Sequence, residues 1–242
     1  MDSIAAAAQA LNQETVAIRR DLHRHPELAF EETRTAGIVA AQLEQLGLEV
    51  RTGIGKTGVV ATLEGAEPGR TVLARADMDA LPLQEERDTP SRSQVPGAMH
   101  ACGHDGHTAV LLSVARLLAE RRDTLAGRER FVFQPAEETG AGARSMLADG
   151  ALEGVTVDRS IGLHLTSGLP TGSVVLRSGP YMAGADSFRL VVHGRGGHAA
   201  KPEETIDPVL AAAHVITSLQ ALVARERNPV DPAVVSITSV HG

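Results

Sequence analysis

Strand-like runs alternate with helical stretches up to about residue 165, and this alternation limits the fold of the chain more than any other feature. Helices are predicted over residues 3–25, 31–46 and 142–149, and from about residue 104 onward. Ser3 is a candidate cap of the first helix and Pro26 ends it, while Gly47 closes the second. Short β-like runs cover residues 48–52, 58–64, 71–80, 130–134 and 159–165. Such alternation is typical of an α/β architecture. We therefore predict a mixed sheet flanked by helices.

The pattern changes near residues 179–184. Beyond them the sequence predicts a strand over 186–193, a glycine-rich loop, a helix over 205–224 and a strand over 233–240. Two strands and one helix bury little apolar surface by themselves. We therefore expect an incomplete catalytic domain over residues 1–180 and the first half of a second domain over 181–242.

Composition and charge exclude several classes of protein. The formal net charge of −7 argues against a nucleic-acid partner, which normally meets a basic surface. The sequence contains no run of about 18 apolar residues, so it predicts no membrane span. The N-terminus lacks the basic segment that begins a signal peptide. The single cysteine, Cys102, cannot form an internal disulfide. These features predict a soluble, cytoplasmic protein.

Residues 99–107, with the sequence MHACGHDGH, form the first motif with clear chemical potential. Cys102 and His104 lie two positions apart, beside glycines, where a helix is predicted to begin. Thiolate and imidazole are good ligands for zinc and similar metals. Taken alone, the pair is equally consistent with a buried free cysteine beside a histidine that caps the helix.

Two adjacent carboxylates, Glu137 and Glu138, directly follow an apolar strand. On an extended backbone they would point in different directions, so one could bind a metal while the other accepts a proton from water. A solvated acidic loop is the alternative. His164 lies at the end of another predicted strand, where a histidine is more often a satisfied core group than a ligand.

Asp77 and Asp79 fall on one face at the carboxyl end of the predicted strand 71–80, where open α/β sheets place their sites. Unpaired carboxylates there are costly, and a nearby cation would stabilise them. An ion pair with Arg75 or Arg20 is the alternative. Together, the four segments bring ligand-type residues to the loop side of one sheet, which is the pattern of a metal-activated hydrolase.

Several of these segments resemble the M20 metallopeptidase family, in its amidohydrolase branch that cleaves N-acyl-amino acids, hippurate and indoleacetyl-amino acids. The matching segments are DMDALP at 77–82, MHACGHDGH at 99–107, QPAEE at 134–138, GLH at 162–164 and GGHAA at 196–200. RDLHRHPELAFEE at 20–32 is also similar to the N-terminal signature of that branch. The resemblance implies a zinc-peptidase-like catalytic domain and part of an α+β, ferredoxin-like lid that forms a dimer interface.

The resemblance also implies a site with two divalent metal ions, Mn or Zn first and Co or Ni as alternatives. The implied metal ligands are Cys102, His104, Glu138 and His164. Glu137 corresponds to the general acid/base, and Asp79 to a carboxylate that orients a ligand. His198 corresponds to a lid histidine that reaches the reacting carbonyl, often from the partner subunit of a homodimer. Asp77 stands where many relatives carry a ligand histidine, and it is not expected to be a ligand here.

The implied reaction is hydrolysis of the amide bond of an N-acyl amino acid or a short peptide-like substrate. Family members are longer and supply one more ligand histidine near their C-terminus, so we expect a C-terminally truncated chain. His241 lies too early to replace that ligand. Two alternatives remain: an inactive paralogue or interaction protein that pairs through residues 186–193, and a hydrolase whose nucleophile is Cys102 with His100 or His104.

Overall fold

The computed structural model describes residues 3–242, which divide into two compact units, the first ending at Ser173 and the second covering Val174–Gly242. The first unit begins with helix α1, Ile4–Arg24, whose N-terminus is capped by Ser3. The Ser3 hydroxyl accepts a hydrogen bond from the Ala6 N–H (3.2 Å), as the sequence predicts. Helix α2, Thr33–Gln45, ends before Gly47, whose φ of +71° is the left-handed conformation expected after a helix.

A five-stranded mixed sheet forms the centre of the first unit, which confirms the predicted fold class. Its strands are β1 Glu49–Ile54, β2 Gly58–Glu64, β3 Glu67–Asp77, β4 Ala126–Gln134 and β5 Arg159–Gly162. The spatial order is β1-β2-β4-β3-β5, with antiparallel pairs β1–β2 and β2–β4. Strands β3, β4 and β5 run parallel, and Asp77 pairs opposite Gln134. The carboxyl ends of three strands therefore lie at one edge of the sheet.

Helices cover both faces of this sheet. Helix α3, His104–Ala119, packs with α1 and α2 on one face, and the short helix α4, Gly142–Ala148, lies on the other. Side chains alternate along β4, so Phe131 and Phe133 enter the larger core while Val132 enters the smaller one. Burial on both faces fixes the register of β4 and of the carboxyl-terminal half of β3, which carry part of the site.

The second unit contains one long helix, α5, Pro208–Ala221, continued by a π-helical turn at Leu222–Glu226. Asp207 caps it, accepting hydrogen bonds from the N–H groups of Val209 (2.9 Å) and Leu210 (3.2 Å). The predicted helix is confirmed, but the predicted strands at 186–193 and 233–240 are wrong. A strand needs a neighbour for its backbone hydrogen bonds, and among the described residues of this unit only a single bridge, Arg195 to Ile206, forms.

One helix of the described chain, Pro208–Glu226, is long and apolar enough by composition to cross a membrane, with a mean hydropathy of 1.3. None of it is buried within the structure. A single helix of this kind is a weak indication, because apolar helices of soluble proteins pass the same test. The expected absence of a membrane span stays a prediction.

Candidate metal centre

A cluster of ligand-type side chains occupies the edge where β3, β4 and β5 end and α3 begins. Every predicted site residue except His198 lies in it, because each follows one of these strand ends or opens α3. The members are Asp79, Cys102, His104, Glu137, Glu138 and His164. His198 belongs to the second unit, where it is exposed and its Nδ1 accepts a hydrogen bond from the Ala200 N–H (3.1 Å).

His104 is the centre of this cluster. Its Nδ1 lies 3.2 Å from Oδ1 of Asp79, whereas its Nε2 is buried and has no hydrogen-bond partner among the described residues. Carboxylate oxygens surround that nitrogen: Oδ2 of Asp77 at 3.7 Å, Oε1 of Glu138 at 3.8 Å and Oε2 of Glu137 at 3.9 Å. A buried polar atom without a partner is costly, and a cation would serve both this nitrogen and the carboxylates.

Cys102 and His164 add a thiol and a second imidazole to the cluster around His104. Nε2 of His164 lies 3.3 Å from Sγ of Cys102, while its Nδ1 lies 2.6 Å from the backbone oxygen of Leu165. A carbonyl can only accept, so Nδ1 carries the ring proton and the Nε2 lone pair faces the sulfur. Three groups of three potential ligand atoms, each group with its atoms within 4.8 Å of one another, share His104. They are Cys102–His104–His164, His104–Glu137–Glu138 and Asp77–His104–His107.

This donor set fits divalent metal ions. Imidazole suits zinc and related metals, thiolate favours the softer ones, and carboxylates suit manganese as well as zinc. The unpartnered Nε2 of His104 is the observation that supports the fit, because it is aimed at the other donors. Because all three groups share His104, its imidazole is the common element of the possible ligand set.

Asp79 connects two parts of the centre. Its Oδ1 contacts His104, and its Oδ2 accepts a hydrogen bond from the backbone N–H of Glu138 (3.0 Å). Its side chain is fully buried, so both contacts are shielded from solvent. Carboxylates that bind the far nitrogen of a ligand histidine orient the ring and raise its basicity.

Glu137 and Glu138 both face His104, so the expectation that they point in different directions is wrong. That expectation holds for an extended backbone, but the chain turns at Ala136, whose φ is +48°. Glu137 remains the more open of the pair, with 40% of its side chain exposed against 22% for Glu138.

Asp77 forms the ion pair with Arg75 that the sequence offered as an alternative. Nη1 of Arg75 lies 2.7 Å from its Oδ2, and Nδ1 of His107 lies 2.6 Å from its Oδ1. Burial opposes ionisation, but the hydrogen bond from His107 and the charge of Arg75 outweigh it and hold the pKa of Asp77 at about 2. Both oxygens are engaged by other groups, but Asp77 also belongs to one of the three possible ligand groups, so its exclusion as a ligand stays a prediction.

His107 is a site residue that the sequence analysis missed, although it belongs to the same MHACGHDGH motif. Its Nε2 accepts a hydrogen bond from the Leu165 N–H (2.9 Å), so its ring proton lies on Nδ1 and is donated to Asp77. The imidazole therefore ties the residue that follows His164 to the end of β3.

A second buried polar cluster supports the first turn of α3. Asp105 forms an ion pair with Arg19 (Nε to Oδ2, 2.6 Å) and accepts a hydrogen bond from Nδ1 of His23 (2.8 Å), and Nε2 of His23 lies 3.4 Å from Glu85. The hydrogen bond with Asp105 raises the pKa of His23. Close by, burial lowers the pKa of His100 to about 4, so that imidazole is neutral. This cluster ties α1 to α3.

The thiol of Cys102 has surroundings unlike those of a cysteine nucleophile. Burial and then the negative charge of Glu138 raise its pKa to about 12. Nucleophilic cysteines instead lie near positive charge that favours the thiolate. A thiol among carboxylates suits a ligand that loses its proton to a bound cation.

Comparison with known proteins agrees with this geometry. Residues 73–240 match peptidase family M20/M25/M40. Thermostable carboxypeptidase 1 of Saccharolobus solfataricus is 45% identical over 229 residues, covering 93% of this chain and 58% of that protein. N-acetylcysteine deacetylase of Bacillus subtilis is 46% identical over 236 residues, covering 97% and 62%.

A solved structure from Bacillus subtilis, described as a dinuclear metal-binding peptidase of the M20 family, is 40% identical with a TM-score of 0.69. The match covers 88% of this chain and 57% of that one. The chain thus spans about three fifths of the length of these relatives. The family match covers well over half of the chain, and it includes all of the metal-centre residues. The chain therefore belongs to peptidase family M20/M25/M40.

Proposed function

We propose that this chain is part of a metal-dependent hydrolase that cleaves the amide bond of N-acyl amino acids or short peptide-like substrates. The observation that carries the proposal is the buried, unpartnered Nε2 of His104, which faces the carboxylates of Glu137 and Glu138. The names of the two relatives, a deacetylase of N-acetylcysteine and a carboxypeptidase, both denote cleavage of an amide bond at an amino acid.

Four side chains would hold two divalent cations: Cys102, His104, Glu138 and His164. The bound cations would supply Lewis-acid chemistry, polarising a substrate carbonyl and making a water molecule more acidic. Asp79 fixes the ring of His104 and the backbone of Glu138, so two of the ligands are held in one geometry. Manganese and zinc are the metals we would test first, with cobalt and nickel next.

Glu137 is assigned as the general acid/base. It is the more exposed of the paired carboxylates, so a substrate and a water molecule can reach it. It accepts the proton of the attacking water and returns it to the amide nitrogen as the carbon–nitrogen bond breaks. The products are a carboxylic acid and a free amino acid.

His198 is assigned to the oxyanion that develops on the substrate carbonyl. Because its Nδ1 accepts the Ala200 N–H, its ring proton lies on Nε2, where it can be donated. Residues 181–242 are assigned to a lid through which two copies form a homodimer, and His198 would serve the site of the partner. Residues 1–180 are assigned to the catalytic domain.

Metal content and a chelator experiment test the proposal. Elemental analysis of the purified chain is expected to show bound divalent metal, and hydrolysis of N-acetylcysteine and hippurate is expected to stop with chelator and return with added Mn²⁺ or Zn²⁺. Hydrolysis that survives complete metal removal but is lost on alkylation of Cys102 would support a thiol nucleophile instead. Folded protein without metal or turnover, even in excess metal, would support an inactive or interaction protein.

A further inference from the structure

Glu32 is a fully buried carboxylate at the first position before helix α2, yet it does not cap that helix. Glu27 does so instead: its two oxygens accept hydrogen bonds from the backbone N–H groups of Arg34 and Thr35, each at 2.8 Å. The side chain of Glu32 is therefore free to bind groups elsewhere in the fold.

Three neutral donors meet at this carboxylate, one from the adjoining chain and two from more distant segments. Its Oε1 accepts the backbone N–H groups of Phe30 (3.0 Å) and Ala136 (2.8 Å), and its Oε2 accepts the hydroxyl of Thr57. Phe30 precedes α2, Thr57 lies in the turn between β1 and β2, and Ala136 follows β4. Glu32 thus joins the beginning of the chain to the turn that leads into the metal centre.

Ala136 needs an anchor of this kind. Its φ of +48° lies in the left-handed region, which a residue with a Cβ adopts rarely, and it is fully buried. The turn is also tight, since a Cβ added at Gly142 would lie 1.6 Å from the backbone oxygen of Pro135. Glu32 holds the N–H of Ala136 and Asp79 holds the N–H of Glu138, so the acidic pair lies between two buried carboxylates.

We infer that Glu32 is a positioning residue for Glu137 and Glu138. Its hydrogen bond to Ala136 keeps the chain turned so that both carboxylates face His104, and its side chain bonds to Phe30, Thr57 and Ala136 rather than to the pair itself. The inference rests on the proposed function for what the pair does, but the geometry it concerns is independent of any substrate. It also gives a role to part of the segment 20–32, which lies outside the matched residues 73–240.

Two substitutions of Glu32 separate the effect of its side-chain length from the effect of its charge. Glu32→Gln loses the charge but keeps an oxygen for Phe30 and Ala136, and its amide can donate to the Thr57 hydroxyl, which is able to accept. Glu32→Asp keeps the charge but is one methylene shorter, so it cannot reach all three partners. Thr57→Val is the matched control, because it removes one hydrogen bond of the same carboxylate and leaves the bond to Ala136 intact.

The first readout is hydrogen–deuterium exchange of peptides covering residues 131–142 in the metal-free chain, and the second is the affinity for Co²⁺ measured by absorption titration. For Glu32→Asp we expect exchange in this segment to rise about 10-fold and Co²⁺ affinity to fall about 10-fold, as for other residues that orient ligands. Glu32→Gln should stay within about 2-fold of wild type in both. Thr57→Val should lower thermal stability but leave both exchange in residues 131–142 and Co²⁺ affinity unchanged.

The inference is overturned if Glu32→Asp leaves exchange in 131–142 unchanged, or if Glu32→Gln is as impaired as Glu32→Asp. Equal loss of Co²⁺ affinity in Glu32→Asp and Thr57→Val would also overturn it, since loss of any buried hydrogen bond would then suffice. Failure of the proposed function gives a different result: the wild-type chain would hydrolyse no N-acyl amino acid while the exchange difference persists. If the wild type bound no Co²⁺, the exchange comparison alone would decide.

Discussion

Oδ1 of Asp79 lies 3.2 Å from Nδ1 of His104, and this contact determines which face of the imidazole is available to a ligand. An ionised carboxylate only accepts hydrogen bonds, so the ring proton lies on Nδ1 and the lone pair of Nε2 points inward. The contact is the carboxylate–histidine part of the arrangement that orients metal-binding histidines in proteins.

Replacing Asp79 by Ala should therefore lower the affinity for divalent metal by about 10- to 100-fold. The ring of His104 would lose its orienting partner, and the backbone of Glu138 would lose its acceptor. Isothermal titration calorimetry with Zn²⁺ or Mn²⁺ measures the effect. Asp88→Ala, which removes the same charge from an exposed position, is the control and should leave the affinity unchanged. Equal affinities for the two variants would contradict the role of Asp79.

Glu137→Gln should abolish turnover while metal remains bound. The amide cannot accept the proton of the attacking water, but the four assigned ligands stay intact. General acid/base catalysis contributes about 10²- to 10⁴-fold, so kcat should fall by at least about 100-fold. Steady-state kinetics and elemental analysis of the same preparation check both halves of the prediction. Substantial residual activity with normal metal content would show that another group moves the proton.

Gly142→Ala should destabilise the chain by about 2–4 kcal/mol, because the new Cβ would collide with the rigid backbone oxygen of Pro135. Gly37→Ala is the matched control. Gly37 is exposed within α2 and a Cβ there meets nothing within 4 Å, so alanine should stabilise by about 0.5–1 kcal/mol. Urea denaturation of both variants measures the difference. If Gly142→Ala also raised the free energy of unfolding, the turn after β4 would be able to relax around the new Cβ.

Glu129 gives the first unit a specific pH dependence. Burial raises the pKa of this carboxyl from 4.5 to about 7, so between these values the folded chain keeps a proton that the unfolded chain releases. Its contribution to stability is therefore present below about pH 4.5 and is lost as the pH rises through 7.

Glu129→Gln remains neutral and should be more stable than wild type at pH 8, by on the order of 1 kcal/mol for this half-buried position. The two proteins should converge near pH 4.5. Thermal unfolding between pH 4.5 and 8 measures the difference. Glu67→Gln makes the same chemical change at an exposed position of β3 and serves as the control. A pH-independent difference for Glu129→Gln would refute the assignment.

Local signals allowed much of the first unit to be predicted from sequence. The cap at Ser3, the stop near Pro26 and the glycine at 47 mark the ends of α1 and α2, and strand β2 matches its predicted bounds. The convergence of the ligand-type residues follows from one rule, since parallel strands bring their carboxyl ends to one edge.

Long-range contacts explain what could not be predicted. The strand expected to reach residue 165 ends at Gly162, because the Leu165 N–H donates to His107 on α3 rather than to a neighbouring strand. The paired carboxylates share a direction because Ala136 adopts a left-handed conformation, for which the sequence gives no glycine signal. The Leu165 N–H bonds to His107, and the Ala136 N–H bonds to Glu32. Neither hydrogen bond leaves a local sequence pattern, since each joins segments far apart in the chain.

The family match starts at Leu73, whereas strand β3 starts at Glu67. A fragment cut to the matched range would begin inside a central strand and would discard β2, the antiparallel neighbour of β4. The hydrogen-bonding edge of β4 would then face water, and Phe131 and Phe133 would lose part of their cover. A fragment that keeps the sheet of the first unit whole therefore begins well upstream of the matched range 73–240, and expression boundaries should be placed before helix α1.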